Sequence, residues 1–439
     1  MDSLPYNPAS IESIVSYAEG LIGYSLADLF PNHDEVANRR NRGDLGGMVQ
    51  KLFFGLQADS RSEADFAEAG LELKTTGVRW GSRGEFIAKE RLVLTMIDYE
   101  KIVDETWETS SFLKKCRLIL LLAYLYDVEK SIFDRKFVLR PMLIDLLSSN
   151  FSELKADWEW IRQAVVDGRA HELSEGDTFV LGACRKGSGG TSEKLRKQPF
   201  SDVGAKSRAF SFRQTFVNQI LQTFGTTDAP NLAVSDVRNL PHNAFHPFLG
   251  QSLDAIARDF DYFKESPKQK GYHRLLATRI LTAGGYSVQD LRNLGIEMKT
   301  IRLTSTGNPR EAMSFPAFSF MSIVNETWEE SSFFQKLEGK FLFVIFAAHA
   351  DGSETLHNVS YWNMPFPDRV EAERVWKDTK TRVSIDATNL PKSSESRVAH
   401  VRPKGRDGND KIATPQGTMH LKQCFWLNRN YIRQIVDSL

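Results

Sequence analysis

Cysteine is scarce in this sequence: Cys116, Cys184 and Cys424 are the only three among 439 residues, widely separated and without a C-x-x-C pair. An odd, scattered set excludes a disulfide framework and the common zinc patterns. Long hydrophobic runs are missing too. The longest apolar or aromatic stretch, Leu118 to Tyr126, lies between Arg117 and Asp127 and falls far short of the roughly 20 residues a spanning helix needs. No membrane association is therefore expected. The N-terminus MDSLPYNPAS lacks a basic region followed by an apolar run, so a mature chain that begins here, in the cytoplasm, is the simplest expectation. Net charge is absent as well, with 56 basic against 56 acidic side chains. That balance argues against wholesale electrostatic binding to a polyanion, so any such partner must meet a local basic patch. The nine histidines form no recognisable ligand cluster, and neither a G-x-S-x-G nor a phosphate-cradling P-loop is present.

What the chain does have is itself, twice. DETWETSSFLKK (104 to 115) returns as NETWEESSFFQK (325 to 336), and ADFAEAGLELKT (64 to 75) returns as QDLRNLGIEMKT (289 to 300). LIGYSLADL (21 to 29) pairs with FLGQSLDAI (248 to 256), and FSFRQTFVNQIL (210 to 221) with FWLNRNYIRQIV (425 to 436). The matches are collinear, and their offsets differ by only a few residues, which a loop absorbs. A duplicated domain of roughly 200 residues is the simplest account. The expected division is an N-terminal domain over 1–224, a linker over 225–243 marked by Pro230 and Pro241, and a C-terminal domain over 244–439.

Each half has a mixed pattern. Ser10 can cap a helix whose apolar positions Ile11, Ile14, Val15, Ala18, Leu21 and Ile22 follow the 3.6-residue period. LELKT alternates, with Leu71 and Leu73 on one face and Glu72 and Lys74 on the other, as in a half-buried strand. RLVLTMI (91 to 97), RLILLLAYLY (117 to 126) and KFLFVIFAA (340 to 348) supply further strands, the last two apolar enough for sheet centres. The expected fold class is α/β, a mixed sheet flanked by helices in each half.

The polar residues were duplicated with the apolar ones. Asp65, Glu72 and Lys74 form a D-x6-E-x-K triplet, and Asp290, Glu297 and Lys299 repeat both intervals. A lone acid-x-Lys pair arises often by chance in a chain with 26% charged residues. Packing would preserve Leu71 and Leu73, however, and has no need of the polar set. Two carboxylates expected on adjoining strands can hold a hard cation such as Mg²⁺, and a lysine beside them can orient an attacking water and offset charge on a phosphorus. Lys115 and Lys336 stand at matching places before a central strand. In the TWE-SSF block, Trp107 and Phe112 read equally well as core aromatics, and Ser110 and Ser111 as a helix cap. From Arg185 to Arg213 the chain carries Arg185, Lys186, Lys194, Arg196, Lys197, Lys206, Arg208 and Arg213 against Glu193 and Asp202, with Gly187, Gly189 and Gly190 among them. Such a run suits a loop that tracks phosphates or one kept for solubility. HVRPKGRDGNDK (400 to 411) is its counterpart.

GDLGGMVQKLFFGLQADSRSEADFAEAGLELKTT followed by TWETSSFLKK resembles the MutH family of DNA endonucleases, in particular its two-domain, GATC-cutting type II restriction endonucleases. The resemblance implies two tandem restriction-endonuclease-like domains and Mg²⁺-dependent cleavage of double-stranded DNA. It makes Asp65 and Glu72 the metal ligands, Lys74 the catalytic lysine and Lys115 a further active-site lysine. It makes Arg402 in VRPKG a candidate base reader beside Lys404, with Arg185 the looser match in the first half, where Lys186 can take the role instead. A cognate DNA methyltransferase is implied as a genetic partner, and either one chain or a dimer surrounds the DNA. Where the family has a glutamate in a G-x-x-x-E segment, this chain has Gln50, followed by Lys51. In the two-domain relatives the first half cuts and the second is a DNA-binding effector, whereas here the second half retains Asp290, Glu297, Lys299 and Lys336. Two rival readings are a mismatch-repair nicking endonuclease, which in the family is about half this length, and an inert DNA-binding regulator.

Overall fold

The computed structural model describes residues 4–33, 45–56, 63–81, 84–148, 153–186, 195–225, 238–260 and 271–439. They cluster into two compact units, one drawn from Met1–Leu173, Thr178–Gly187 and Lys194–Val237, the other from Arg238–Leu439 with Ser174–Asp177. Among the described residues no helix is long and apolar enough to cross a membrane.

In the first unit, Ser10 caps helix α1 (Ile11–Ala18) by accepting a hydrogen bond from the Ser13 N–H. The helix is shorter than its apolar period suggests. After Ala18 the chain tightens into a 3₁₀ turn, and Ile22, 37% exposed, leaves the buried stripe to bridge Phe137. Strand β1 (Leu71–Trp80) follows Gly70, whose φ of +61° lets the chain reverse so that Phe66 pairs back onto Leu71. Strands β2 (Phe86–Ala88), β3 (Leu92–Met96), β4 (Leu118–Leu125) and β5 (Met142–Asp145) complete this part of the fold. The sheet order is β2-β1-β4-β5, mixed because β1 and β4 run parallel while β4 and β5 run antiparallel. Central β4 buries Ile119 through Ala123 without interruption, the pattern of a strand covered on both faces. A second sheet, β3-β9-β6, combines β3 with β6 (Leu181–Arg185) and β9 (Arg208–Phe212). A hairpin of β7 (Arg196–Gln198) and β8 (Ser201–Ala205) leads into β9.

The second unit repeats these pairings. β10 (Ile296–Leu303) runs parallel to β12 (Lys340–Ala348), which pairs antiparallel with β13 (Glu354–Trp362). β11 (Met313–Phe318), β17 (Gln423–Leu427) and β14 (Ala399–Pro403) form the smaller sheet, and β15 (Lys411–Ala413) with β16 (Met419–Leu421) the hairpin. Its core is aromatic, with Phe333 stacked on Phe425 at 4.3 Å and Trp328 near Trp376. Burying each such large side chain contributes about 1.5–3 kcal/mol. The two units are thus mixed α/β assemblies of several sheets and helices.

Candidate active site

Asp65 lies in the turn before β1, not on an adjoining strand as expected, and its placement is local. Its Oδ2 accepts the Leu73 N–H at 2.9 Å, and its own N–H donates to Glu72 Oε2 at 3.2 Å. The tight reversal at Gly70 therefore brings the two carboxyl groups together. Glu72 does not stand on an open face: its side chain is 1% exposed, so the polar side of β1 is covered as fully as the leucine side. Lys74 Nζ donates to Glu72 Oε1 at 2.6 Å, and Lys115 Nζ stands 3.8 Å from the same oxygen. Burial pushes the Glu72 carboxyl above its ordinary value and Asp65 adds to that, against the pull of Lys74 and Lys115. Burial opposes the charge on Lys74, yet the Glu72 carboxylate holds that ammonium above its usual value. The neighbouring Cys116 thiol is buried and pushed up to about 12, so it stays neutral and packs.

The TWE-SSF block explains how Lys115 arrives there. Ser110 caps helix α2 (Ser111–Cys116), accepting from the Leu113 N–H at 3.2 Å and donating to the Trp107 carbonyl at 2.7 Å. Trp107 and Phe112 are buried, and Lys115 sits on the helix's last turn. The block is thus both a packing unit and the mount for a lysine.

A cavity of about 540 Å³ opens beside Lys74 and is lined also by Gln50, Glu90, Arg91, Arg185 and Lys186. Glu90 and Arg91 went unread in the sequence because nothing in their spacing marks them. The basic run does not act as one patch. Arg208 and Arg213 are buried and donate to the backbone carbonyls of Ala183, at 2.6 Å, and Thr178, at 2.7 Å. Their positive charge serves the fold, while Lys186, Arg196 and Lys197 are exposed. Gly187, Gly189, Gly190, Glu193 and Lys194 lie outside the described residues. β6, which carries Arg185, is held at its start by fully buried Asp157 on helix α3 (Glu153–Val166). That carboxylate accepts the N–H groups of Phe179, Val180 and Leu181 at 3.1, 2.6 and 2.9 Å.

The second unit gathers part of the same set. Glu297 binds Lys299 through Oε1 at 2.8 Å and Lys336, on helix α4 (Ser332–Leu337), through Oε2 at 2.9 Å. Burial works against the Glu297 charge, but Lys299 and then Lys336 hold its carboxyl below the ordinary value. Asp290 is not brought into this cluster. It is the third residue of a short helix, Val288–Asn293, where its Oδ2 accepts the Ser287 N–H at 2.7 Å and its N–H donates to Ser287 Oγ at 3.0 Å. That reciprocal cap uses the carboxylate locally.

The segments expected to be base-reading loops differ from expectation, since Arg402 lies on β14 and Arg185 on β6. Arg402 lies with its guanidinium 3.8 Å above the centre of the Trp426 ring, and Lys404 Nζ donates to the Phe315 carbonyl at 2.7 Å. Lys404 therefore spends a donor on its own unit. In register, Leu181 faces Phe212 and Ala399 faces Leu427, the two residues matched by the repeat. The Lys186 N–H bonds Ser207 O and the Lys404 N–H bonds Lys422 O, both at 2.8 Å. Lys186 and Lys404 are therefore equivalent, Arg402 corresponds to buried Cys184, and Arg185 corresponds to Pro403. The pairing of Arg185 with Arg402 is off by one residue, which on a strand changes the face.

The family model of the DNA mismatch repair enzyme MutH matches residues 54–157 and 281–368, once in each repeat. The chain is 29% identical to the type II restriction enzyme Sau3AI of Staphylococcus aureus over 98% of both chains. It is 29% identical to the DNA mismatch repair protein MutH of Shewanella woodyi over 50% of this chain and 95% of that one. With the MutH of Citrobacter koseri the identity is 30%, over 38% of this chain and 71% of the relative. Together with the β1 motif and its lysine-bearing helix, these matches show that the chain belongs to the MutH family.

Proposed function

We propose that this protein is a type II restriction endonuclease that hydrolyses double-stranded DNA at a GATC-type palindrome. In this reading the two repeats are restriction-endonuclease-like domains, 1–224 cutting and 244–439 binding DNA as an effector, joined by 225–243. The observation that carries it is the gathering of Asp65, Lys74 and Lys115 around the buried Glu72 carboxylate. The full-length match to a restriction enzyme, against half-length matches to mismatch repair proteins, supports restriction over repair nicking.

The donor set fits a divalent cation. Asp65 and Glu72 offer hard oxygens side by side, and Mg²⁺ commonly takes one or two carboxylates and fills its other positions with water and phosphate oxygens. Among the described residues no third histidine, cysteine or carboxylate joins them, and Gln50 presents a neutral amide to the cavity that Lys74 lines. Bound there, Mg²⁺ would polarise a phosphoryl oxygen and acidify water. Lys74, held by Glu72, orients the attacking water and offsets charge on the phosphorus. Lys115 adds a second positive charge to the same side. Arg185 and Lys186 carry the DNA backbone past the cavity they line. Incubating a GATC-containing plasmid with Mg²⁺ or with EDTA tests the reading: cleavage in the first alone supports it, and no cleavage in either leaves the inert regulator standing. A DNA methyltransferase gene beside this one would add genetic support.

A further inference from the structure

The two homologous centres differ in charge. In the first unit Asp65 and Glu72 balance Lys74 and Lys115, whereas in the second one carboxylate, Glu297, faces Lys299 and Lys336. Asp290, which would restore the balance, is bonded to Ser287 at its helix start. A divalent cation entering beside Glu297 would meet a single carboxylate, with two ammonium groups opposing it and no second carboxylate to offset them. The same features suit an anion. Each ammonium has three donors and gives one to Glu297, and the Lys336 and Lys299 side chains are 46% and 25% exposed, so donors remain open to a ligand.

We infer that the Glu297–Lys299–Lys336 cluster is a metal-independent binding site for a phosphate of the DNA backbone. Its site-forming geometry comes from an active-site scaffold whose matching aspartate, Asp290, is engaged at a helix start instead. Glu297 is a positioning residue here: it holds two mutually repelling ammonium groups close together, and its own charge weakens the anion they bind. This rests on the reading of the second unit as effector and names the chemistry by which that unit grips DNA. The cluster is the reverse of its first-unit counterpart, where the second carboxylate makes room for a cation.

The test is fluorescence titration of a GATC duplex with the full chain in EDTA, at several salt concentrations. Lys299→Ala and Lys336→Ala should each weaken binding and flatten the plot of log affinity against log salt by about 0.9. Lys336→Arg, which keeps the charge, should retain the wild-type slope. Removing a charge that repels the phosphate, Glu297→Gln should tighten binding in EDTA by roughly threefold to tenfold. Unchanged slopes in both alanine variants, or a slope lost equally in Lys336→Arg, would overturn the inference. So would Glu297→Gln weakening binding only when Ca²⁺ is present, the behaviour of a cation site. The effector reading fails separately: nicked circles accumulating with Asp290→Ala would sink it, whereas linear product with unchanged slopes would leave it intact and remove only the phosphate site.

Discussion

Glu72 and Glu297 hold the same place on equivalent strands, and their neighbours give them opposite tasks. Glu72 has a second carboxylate beside its two lysines, whereas Glu297 faces its two lysines alone. Asp65→Ala removes one of the paired oxygens, and Lys74→Ala removes the donor on Glu72. Each should lower the cleavage rate by roughly 10²-fold or more, the scale of losing one preorganised electrostatic group, while duplex binding in Ca²⁺ stays measurable. Wild-type rates in either variant would remove these residues from the mechanism. At Arg402 the expected effect is on discrimination. The Trp426 ring fixes the planar guanidinium before DNA arrives, and its fork can donate to both O6 and N7 of guanine. Arg402→Ala should narrow the gap between GATC and non-cognate duplex by about 1–3 kcal/mol, read from paired affinity measurements. Equal losses on both duplexes would make Arg402 a phosphate contact only.

At the scale of elements, Asp157 has the largest predicted effect on stability. It accepts three backbone N–H groups at the start of β6, and Asp157→Ala would leave them buried without that acceptor. The expected loss is about 3 kcal/mol or more, seen as a lower unfolding midpoint in denaturant, with Asp157→Asn recovering part of it. A midpoint shift within error of wild type would contradict this. Strand order was not legible in the sequence, but the central strands β4 and β12 were, because RLILLLAYLY and KFLFVIFAA are short, continuously apolar runs that begin at a charge. The pairing of Glu72 with Lys74 was legible from strand alternation alone. The fate of Asp290 was not. Its Ser287-x-x-Asp spacing is a capping signal, but Ser62 stands in the same relation to Asp65 and lies outside the described residues, so spacing does not separate the two. Nor could composition divide the basic run, since Arg208 and Arg213 become structural only when β6 and β9 pair. The mismatched arginines have a similar cause: Pro403 is one residue that the sequence match absorbs and the strand register does not.

For the whole molecule, acid should act first through the second unit. His273 is buried against Phe346, its Nε2 2.6 Å from Glu354, and Arg310 bonds the other oxygen of that carboxylate at 3.0 Å. Burial lowers the His273 pKa, with Arg302 and Arg310 acting in the same direction and Glu354 opposing them. A group depressed in the folded state contributes stability above its unfolded pKa of about 6.5 and loses it as pH falls through the folded value. Thermal unfolding of the full chain should therefore shift downward as pH falls below about 6.5, and His273→Gln should flatten that shift. An unchanged pH dependence in the variant would assign the acid sensitivity elsewhere.

The central claim is that one unit cuts and its repeat grips. Agarose analysis of a supercoiled plasmid with a single GATC site, digested in Mg²⁺ by Asp65→Ala and by Asp290→Ala, tests it most directly. The account predicts intact supercoiled DNA with Asp65→Ala, and linear product with Asp290→Ala at a rate close to that of the wild type. Linear DNA from Asp65→Ala, or nicked circles accumulating with Asp290→Ala, would contradict it.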